Sequence, residues 1–164
     1  MSIQIIFLFL AILTTGLMAG IFFTWTNAVT PGIGQLSDLG YLRALQSMNR
    51  VILNPAFYIV FICPIIMLPL ATLLNYNSAS SLVFTLLLIA SVIYLLGVFI
   101  ITIRGNIPLN NLLDKSDLED FSIEDASKLR NEIETKWNNF NLIRTITSSI
   151  SFILMIIICF LMTT

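Results

Sequence analysis

Residues 81–103 read SLVFTLLLIASVIYLLGVFIITI and contain no charged side chain. A helix of about 20 such residues crosses the roughly 30 Å of hydrocarbon in a bilayer. Three further stretches are predominantly apolar, at residues 3–29, 51–76 and 141–163. The 164-residue chain is 57% hydrophobic and 10% charged, whereas soluble domains are about 45–50% apolar and about 25% charged. These observations exclude a soluble enzyme and predict an all-α, four-helix transmembrane bundle.

The charge balance limits the chemistry further. The chain carries 8 Lys and Arg, 9 Asp and Glu and no His, for a net charge of −1. Nucleic-acid-binding domains present a basic surface, so we expect no nucleic-acid partner. Without His, the chain has neither a His-ligated metal or haem nor a Ser-His or Cys-His catalytic pair. We therefore predict no metal site, and membrane lipids are the first expected partners.

The positions of the charges predict a topology. Every charged residue except Arg144 lies in one of two connections, at about residues 30–50 and 104–140, and the connection at 77–80 has none. With four spans, the two charged connections fall on the same side of the membrane. Because Lys and Arg favour the cytoplasmic side, we predict an integral protein of the bacterial inner membrane with both chain termini outside.

The two charged connections are themselves expected to contain helix. In the first, apolar residues from Ile33 to Leu45 recur at roughly helical spacing, which predicts a short helix that either lies on the interface or tucks into the mouth of the bundle. In the second, Ser122 and Asp125 form a helix-capping pair. Apolar residues then continue at steps of three and four into the last span, so we expect the fourth helix to begin near Ile123 in the cytoplasm and to enter the membrane as one rod. The chain 1–164 is one membrane domain.

Polar side chains gather at the charged end of all four predicted spans. Trp137, Asn141 and Arg144 are spaced by four and three residues, which places them on one helix face. Arg50 and Asn54 are spaced by four on the second span. The first and third spans end in further Trp, Asn and Arg residues. The candidate set is Trp25, Asn27, Asn49, Arg50, Asn54, Asn106, Asn110, Trp137, Asn141 and Arg144.

Two interpretations of this set remain open. Arg and Trp commonly anchor helices at the membrane interface, and Asn commonly caps helix ends. Alternatively, because polar groups in a membrane are costly, the set forms one inward-facing site. In that case Arg50, Arg104 and Arg144 would form a positively charged mouth suited to an anionic or enolate oxygen.

Four short runs carry a resemblance to a known family. They are GIFFTWTNAVTP at 20–31, MNRVILNP at 48–55, RGNIPLNN at 104–111 and WNNFNLIR at 137–144. Together they resemble the anthrone-oxygenase-like family of small four-helix membrane proteins. Most members have no assigned activity, but the resemblance implies that some convert an anthrone to an anthraquinone with dioxygen and without metal or flavin. It also implies that the same ten residues lie at the polar centre.

The enzyme hypothesis assigns roles to these residues. Arg50, Asn54 and Arg144 are the candidate catalytic residues, and they would stabilise the enolate of an aromatic or quinone-like substrate that then reacts with dioxygen, without a cofactor. The remaining seven candidates, Trp25, Asn27, Asn49, Asn106, Asn110, Trp137 and Asn141, would bind the substrate. Asp38 is the one carboxylate outside the acidic connection and a weak candidate base. The alternatives are a module that binds a small molecule or lipid, with the two tryptophans stacking on a ring, and a structural subunit of a membrane complex.

Overall fold

The computed structural model describes residues 3–163, which form five helices and no strands. We label them α1 (Ile3–Ile33), α2 (Asp38–Ile52), α3 (Pro55–Leu74), α4 (Ser81–Asp114) and α5 (Ile123–Thr163). Helices α1, α3, α4 and α5 are long and apolar enough to cross a membrane. The predicted all-α bundle of four spans with a short helix between the first two is confirmed.

Helix α5 is one continuous rod, as predicted. Its 41 residues extend for about 60 Å, twice the thickness of the hydrocarbon core. At its start, Ser122 Oγ accepts a hydrogen bond from the Asp125 N–H at 3.1 Å and donates to the Asp125 carboxylate at 2.6 Å. The hydrogen bond from Ser122 lowers the pKa of Asp125. The carboxylate therefore stays charged at the positive end of the helix dipole.

Helices α1 and α4 both continue past a proline. In each, a wide π-helical turn, at Trp25–Val29 and Thr102–Asn106, directly precedes the turn that contains Pro31 or Pro108. A wide turn shifts the hydrogen-bond register, so proline, which has no N–H to donate, is accommodated without ending the helix. Helix α4 consequently reaches Asp114, eleven residues beyond the span predicted to end at 103.

The second span begins later than the sequence predicted. Helix α2 ends at Ile52, Asn54 adopts an extended backbone, and α3 begins at Pro55 rather than at residue 51. The residue before proline avoids the helical conformation, and proline itself fits the first helical position. Asn54 caps the new helix, because its Oδ1 accepts the Phe57 N–H at 3.1 Å. The prediction that Arg50 and Asn54 share a helix face is therefore wrong.

Two separate cores hold the bundle together. Within the spans, a core runs from Leu8 and Val83 to Tyr94 and Val98. A second core lies at the charged end, where α2 packs on the ends of α4 and α5 that extend beyond the spans. It comprises Tyr41, Leu42, Leu45, Leu113, Leu118, Ala126, Leu129, Ile133 and Trp137. Of the two predicted placements for α2, the structure has the one in the bundle mouth. Water drives burial in a core at the charged end, whereas packing contacts hold helices together inside lipid.

Glycine allows α4 and α5 to approach closely beside the charged end. A Cβ atom built on Gly105 would lie only 2.7 Å from Phe140 Cγ, and one on Gly97 would overlap Thr147. The two backbones could not sit this close with a larger residue at either position. The close approach brings the neighbour of Gly105, Asn106, against α5, where it becomes part of the site.

Candidate functional site

A cavity of about 260 Å³ lies where the α2–α3 break faces α1, α4 and α5. Seven of the ten candidate residues line it: Trp25, Asn49, Asn106, Asn110, Trp137, Asn141 and Arg144. Apolar side chains including Phe22, Phe57 and Phe61 complete the walls. The tertiary structure thus brings together residues from α1, α2, α4 and α5 around one space.

Arg144 is the charged group of the cavity. It is 7% exposed, and its guanidinium lies 4.4 Å from the centre of the Phe22 ring and 5.6 Å from that of Trp137. Its Nη2 donates to Asn141 Oδ1 at 2.7 Å and its Nη1 to Thr102 Oγ1 at 3.4 Å. Among the described residues, no carboxylate pairs with it and its Nε has no acceptor. Arg144 is therefore a buried cation held by neutral groups alone.

Asn141 fixes the position of Arg144. Its Nδ2 donates to the Phe22 carbonyl at 3.2 Å and to Thr26 Oγ1 at 2.8 Å, while its Oδ1 receives the guanidinium. The Thr26 hydroxyl also lies 2.8 Å from that of Thr145. These bonds tie α1 to α5 and orient the Asn141 oxygen toward Arg144.

A second polar group surrounds Asn110. Its Oδ1 accepts hydrogen bonds from Trp137 Nε1 at 2.7 Å and from Asn49 Nδ2 at 3.1 Å. No acceptor within residues 3–163 takes the protons of Asn110 Nδ2, which leaves that amide as a donor for a ligand. The Trp25 ring lies 5.2 Å from the Trp137 ring at 46°.

Asn106 also lines the cavity, on the same helix as Asn110. Its Nδ2 donates to the Trp137 carbonyl at 3.4 Å. Its Oδ1 is buried without a donor in the described part of the chain. Arg144, Asn106 and Asn110 all line the cavity, which therefore combines a cation with amide donor and acceptor groups.

Three candidates lie outside the cavity. Arg50 is exposed and pairs with Asp114, with 2.6 Å between Nε and Oδ1. Asn54 is used as the cap of α3. Asn27 is exposed on α1, as is Arg104 on α4. The expected mouth of three guanidiniums is therefore wrong, and Arg144 alone faces the cavity. The break before Pro55 is the cause, because it places Arg50 beside the end of α4.

The candidate base Asp38 also lies elsewhere. It pairs with Arg130 at 3.1 Å, and the same guanidinium binds Glu134 at 2.7 Å. Arg130 also donates to the carbonyls of Gly34 and Leu36 at 2.8 and 2.9 Å. Arg130 thereby fastens the α1–α2 turn to α5, and Asp38 contributes to the fold rather than to the cavity.

Sequence reasoning missed two residues that contact Arg144, Phe22 and Thr102. Both could have been found by helical spacing. Phe22 precedes Trp25 by three residues and Thr102 precedes Asn106 by four, which places each on the cavity face of its helix. Phe22 is apolar, and Thr102 was missed because the candidate set comprised only Trp, Asn and Arg residues.

The lining has a defined chemical character. Among the residues that the structure describes, it contains Arg, Asn, Thr, Trp and Tyr but no carboxylate, Cys or His. Within residues 3–163, no group of three or more His, Cys, Asp or Glu could hold a metal ion. Guanidinium and amide donors can hydrogen-bond an oxygen atom, and aromatic rings can pack against a planar apolar group.

Comparison with known proteins identifies the family of the chain. Residues 53–154 match the sequence profile of the anthrone oxygenase family, which is more than half of the chain. The match covers α3, α4 and most of α5 and includes Asn106, Asn110, Trp137, Asn141 and Arg144. No curated protein and no solved structure matches the chain. The chain belongs to the anthrone oxygenase family.

Proposed function

We propose that the cavity binds a planar aromatic or quinone-like molecule through its oxygen atom and that the protein is a membrane oxygenase. The observation that carries this proposal is Arg144, whose buried guanidinium lies on the wall of a cavity and has no carboxylate partner among residues 3–163. Removing a cation from water is costly unless an opposite charge or several hydrogen bonds compensate for it. A bound oxygen with negative charge provides that compensation.

The electrostatics favour an enolate over its neutral parent. Arg144 and the free amide protons of Asn110 are fixed in place before a ligand arrives, Arg144 by Asn141 and Asn110 by its bonds to Trp137 and Asn49. Donors held in a site of low polarity stabilise a developing oxyanion far more than mobile water does. The site therefore lowers the pKa of an enolisable substrate and raises the fraction of reactive carbanion.

The reaction then needs dioxygen and no other co-reactant. An anthrone loses a proton from its central CH₂ group to water and becomes the enolate. The enolate carbon adds dioxygen and takes up a proton, which gives a hydroperoxide. Loss of water from the hydroperoxide leaves the second carbonyl. One anthrone and one dioxygen thus give one anthraquinone and one water, with the carbon oxidised and dioxygen reduced.

A second function, quinone binding without turnover, is favoured by one observation. No carboxylate or imidazole of the described residues lines the cavity, so this lining supplies no strong general base. A quinone needs none, because its carbonyl only accepts hydrogen bonds from Arg144 and Asn110. The tryptophan pair would contact its ring.

The test of the oxygenase proposal uses the full chain in lipid nanodiscs with anthrone and dissolved oxygen. We expect anthraquinone to form faster than in empty nanodiscs, with one dioxygen consumed per anthrone. Anthrone oxidation at the rate of empty nanodiscs would contradict the oxygenase. In that case, quenching of tryptophan fluorescence by anthraquinone would support the binding function, since Trp25 and Trp137 are the only tryptophans in the chain.

We also propose that the charged end of the bundle faces the cytoplasm of a bacterium, with both termini outside, because both Lys- and Arg-containing connections lie at that end. The test is labelling of intact cells with an impermeant maleimide, in a chain that carries Cys63→Ala and Cys159→Ala. Asn77→Cys should be labelled and Lys115→Cys should not, although both positions are exposed. The reverse pattern would contradict this orientation.

A further inference from the structure

A second space, the lateral groove, adjoins the cavity on the membrane side. It has a volume of about 940 Å³ and runs between α1 and α3. Ile21, Trp25, Ile52 and Phe57 line both the groove and the cavity. These four residues thus separate the apolar groove from the polar cavity.

Two features of the sequence create the groove. The interruption of the helix before Pro55 separates the end of α2 from the start of α3. On α1, a Cβ atom built on Gly20 meets no atom of the described residues within 4 Å. Gly16 differs, because a Cβ there would lie 2.7 Å from Phe152 Cε2. Gly16 therefore serves helix packing, whereas Gly20 leaves open space.

The groove offers few polar groups to a ligand. Its polar side chains are Thr24 and Asn54, together with the Trp25 indole that it shares with the cavity. Thr24 Oγ1 donates to the Gly20 carbonyl at 2.8 Å, and Asn54 is engaged in capping α3. The remaining lining is aliphatic or aromatic. An apolar chain is thus the occupant that fits its chemistry.

The size of the cavity supports the same occupant. Its volume of about 260 Å³ is below the roughly 300–1,000 Å³ of most ligand pockets. It can hold a planar head but little more, and α2 covers the charged end of the bundle. A larger ligand must therefore extend into the groove.

We propose that the ligand carries an apolar tail, enters sideways from the bilayer between α1 and α3, and leaves its tail in the lateral groove. This inference rests on the proposed binding of a planar oxygen-bearing head beside Arg144. The tail would be an alkyl or isoprenoid chain, because only unbranched or flexible apolar groups follow a narrow groove along two helices.

The experiment compares two quinones on the full chain in nanodiscs. The probes are dimethoxy-methyl-benzoquinone and its decyl derivative, and the readout is quenching of tryptophan fluorescence. Affinities are expressed per mole fraction of quinone in the lipid. The stronger partitioning of the decyl compound into the bilayer then does not raise its apparent affinity. We expect the decyl quinone to bind at least about fivefold more tightly through tail packing.

Two variants fill the groove from opposite walls. Gly20→Leu and Ala56→Leu should each abolish most of the preference for the decyl quinone and change the affinity for the tailless quinone less than about twofold. Gly32→Leu and Ala28→Leu are matched controls on α1, because Gly32 also has open space around it and Ala28 is exposed outside both spaces. Neither control should alter the preference.

The outcomes separate the inference from the proposed function. Binding of the tailless quinone with no preference for the decyl compound, or a preference that survives both groove variants, would overturn the inference and leave the head site intact. No quenching by either quinone would overturn both. A change from dimer to monomer in Gly20→Leu would identify the groove as a contact between copies and overturn the tail proposal.

Discussion

Two arginines on the same helix, Arg144 buried and Arg130 partly buried, serve different ends. Arg130 and Arg144 lie about four turns apart on α5, and each guanidinium lies over an aromatic ring, 4.7 Å from Tyr41 and 4.4 Å from Phe22. Arg130 binds two carboxylates and two carbonyls. Arg144 has neutral partners and an Nε without an acceptor.

The difference shows how to separate a structural cation from one available to a ligand. The hydrogen-bonding capacity of Arg130 is used within the chain, so its charge fastens the α1–α2 turn in place. The charge of Arg144 is uncompensated, so it retains attraction for an incoming anion. Both guanidiniums lie over an aromatic ring, and the presence of carboxylates around Arg130 distinguishes the two.

The largest expected effect comes from removing the cation of the cavity. Arg144→Met should lower the rate of anthrone oxidation by about 10²–10³-fold, as loss of an oxyanion donor does in other enzymes. The variant should keep its fold, because replacing an unpaired buried charge with an apolar side chain of similar size relieves desolvation. Oxidation rates measure the activity of the variant, and circular dichroism in detergent measures whether its helical fold is retained. Wild-type activity in this variant would remove Arg144 from the site.

Removing Arg130 should instead lower stability. Arg130→Met leaves Asp38, Glu134 and two carbonyls unpaired, and it should lower the free energy of unfolding by about 2 kcal/mol, less than for a fully buried pair because water reaches its edge. Lys128→Met, which removes an exposed ion pair on the same helix, is the control and should change little. Chemical unfolding in detergent micelles measures the effect. Lost quinone binding with unchanged stability would contradict this assignment.

A carboxylate beside Arg144 should make it resemble Arg130. Asn141→Asp places an anion where Oδ1 now accepts from Nη2, and we expect about tenfold weaker quinone or enolate binding because the guanidinium becomes paired. Asn139→Asp adds the same charge at an exposed position and should leave binding unchanged. Asn141→Leu should weaken binding less than Asn141→Asp. Equal losses of binding affinity in Asn141→Asp and Asn141→Leu would mean that loss of the Asn141 amide, rather than the added charge, is responsible.

The smallest expected effect concerns the ring under Arg130. Burial, followed by the charge of Glu134, raises the pKa of Tyr41 above its usual value of 10. The folded state therefore keeps a proton that the unfolded chain loses, so stability is full below pH 10 and falls above it by up to about 1.4 kcal/mol per pH unit. Tyr41→Phe should reduce this slope in unfolding measurements. An unchanged slope would show that other groups govern alkaline unfolding.

Much of the fold could be predicted from local sequence. The apolar runs and the Ser122 cap gave the spans and the continuous rod of α5, because span length and capping depend on neighbouring residues. Helical spacing also placed Trp137, Asn141 and Arg144 on one face, and all three line the cavity. The prediction that Arg50 and Asn54 share a helix face was wrong, because the helix is interrupted before Pro55 and helical periodicity does not extend across the interruption.

The sequence by itself determined that four apolar helices pack with charged connections at one end, because hydropathy and charge are properties of each residue. Only the tertiary structure decided which arginine faces the cavity. A guanidinium binds the acceptors that packing brings within reach. Arg50 therefore pairs with Asp114, and Arg130 pairs with Asp38 and Glu134. Arg144 alone was placed beside a cavity without a carboxylate, and that placement depends on how α1, α4 and α5 meet.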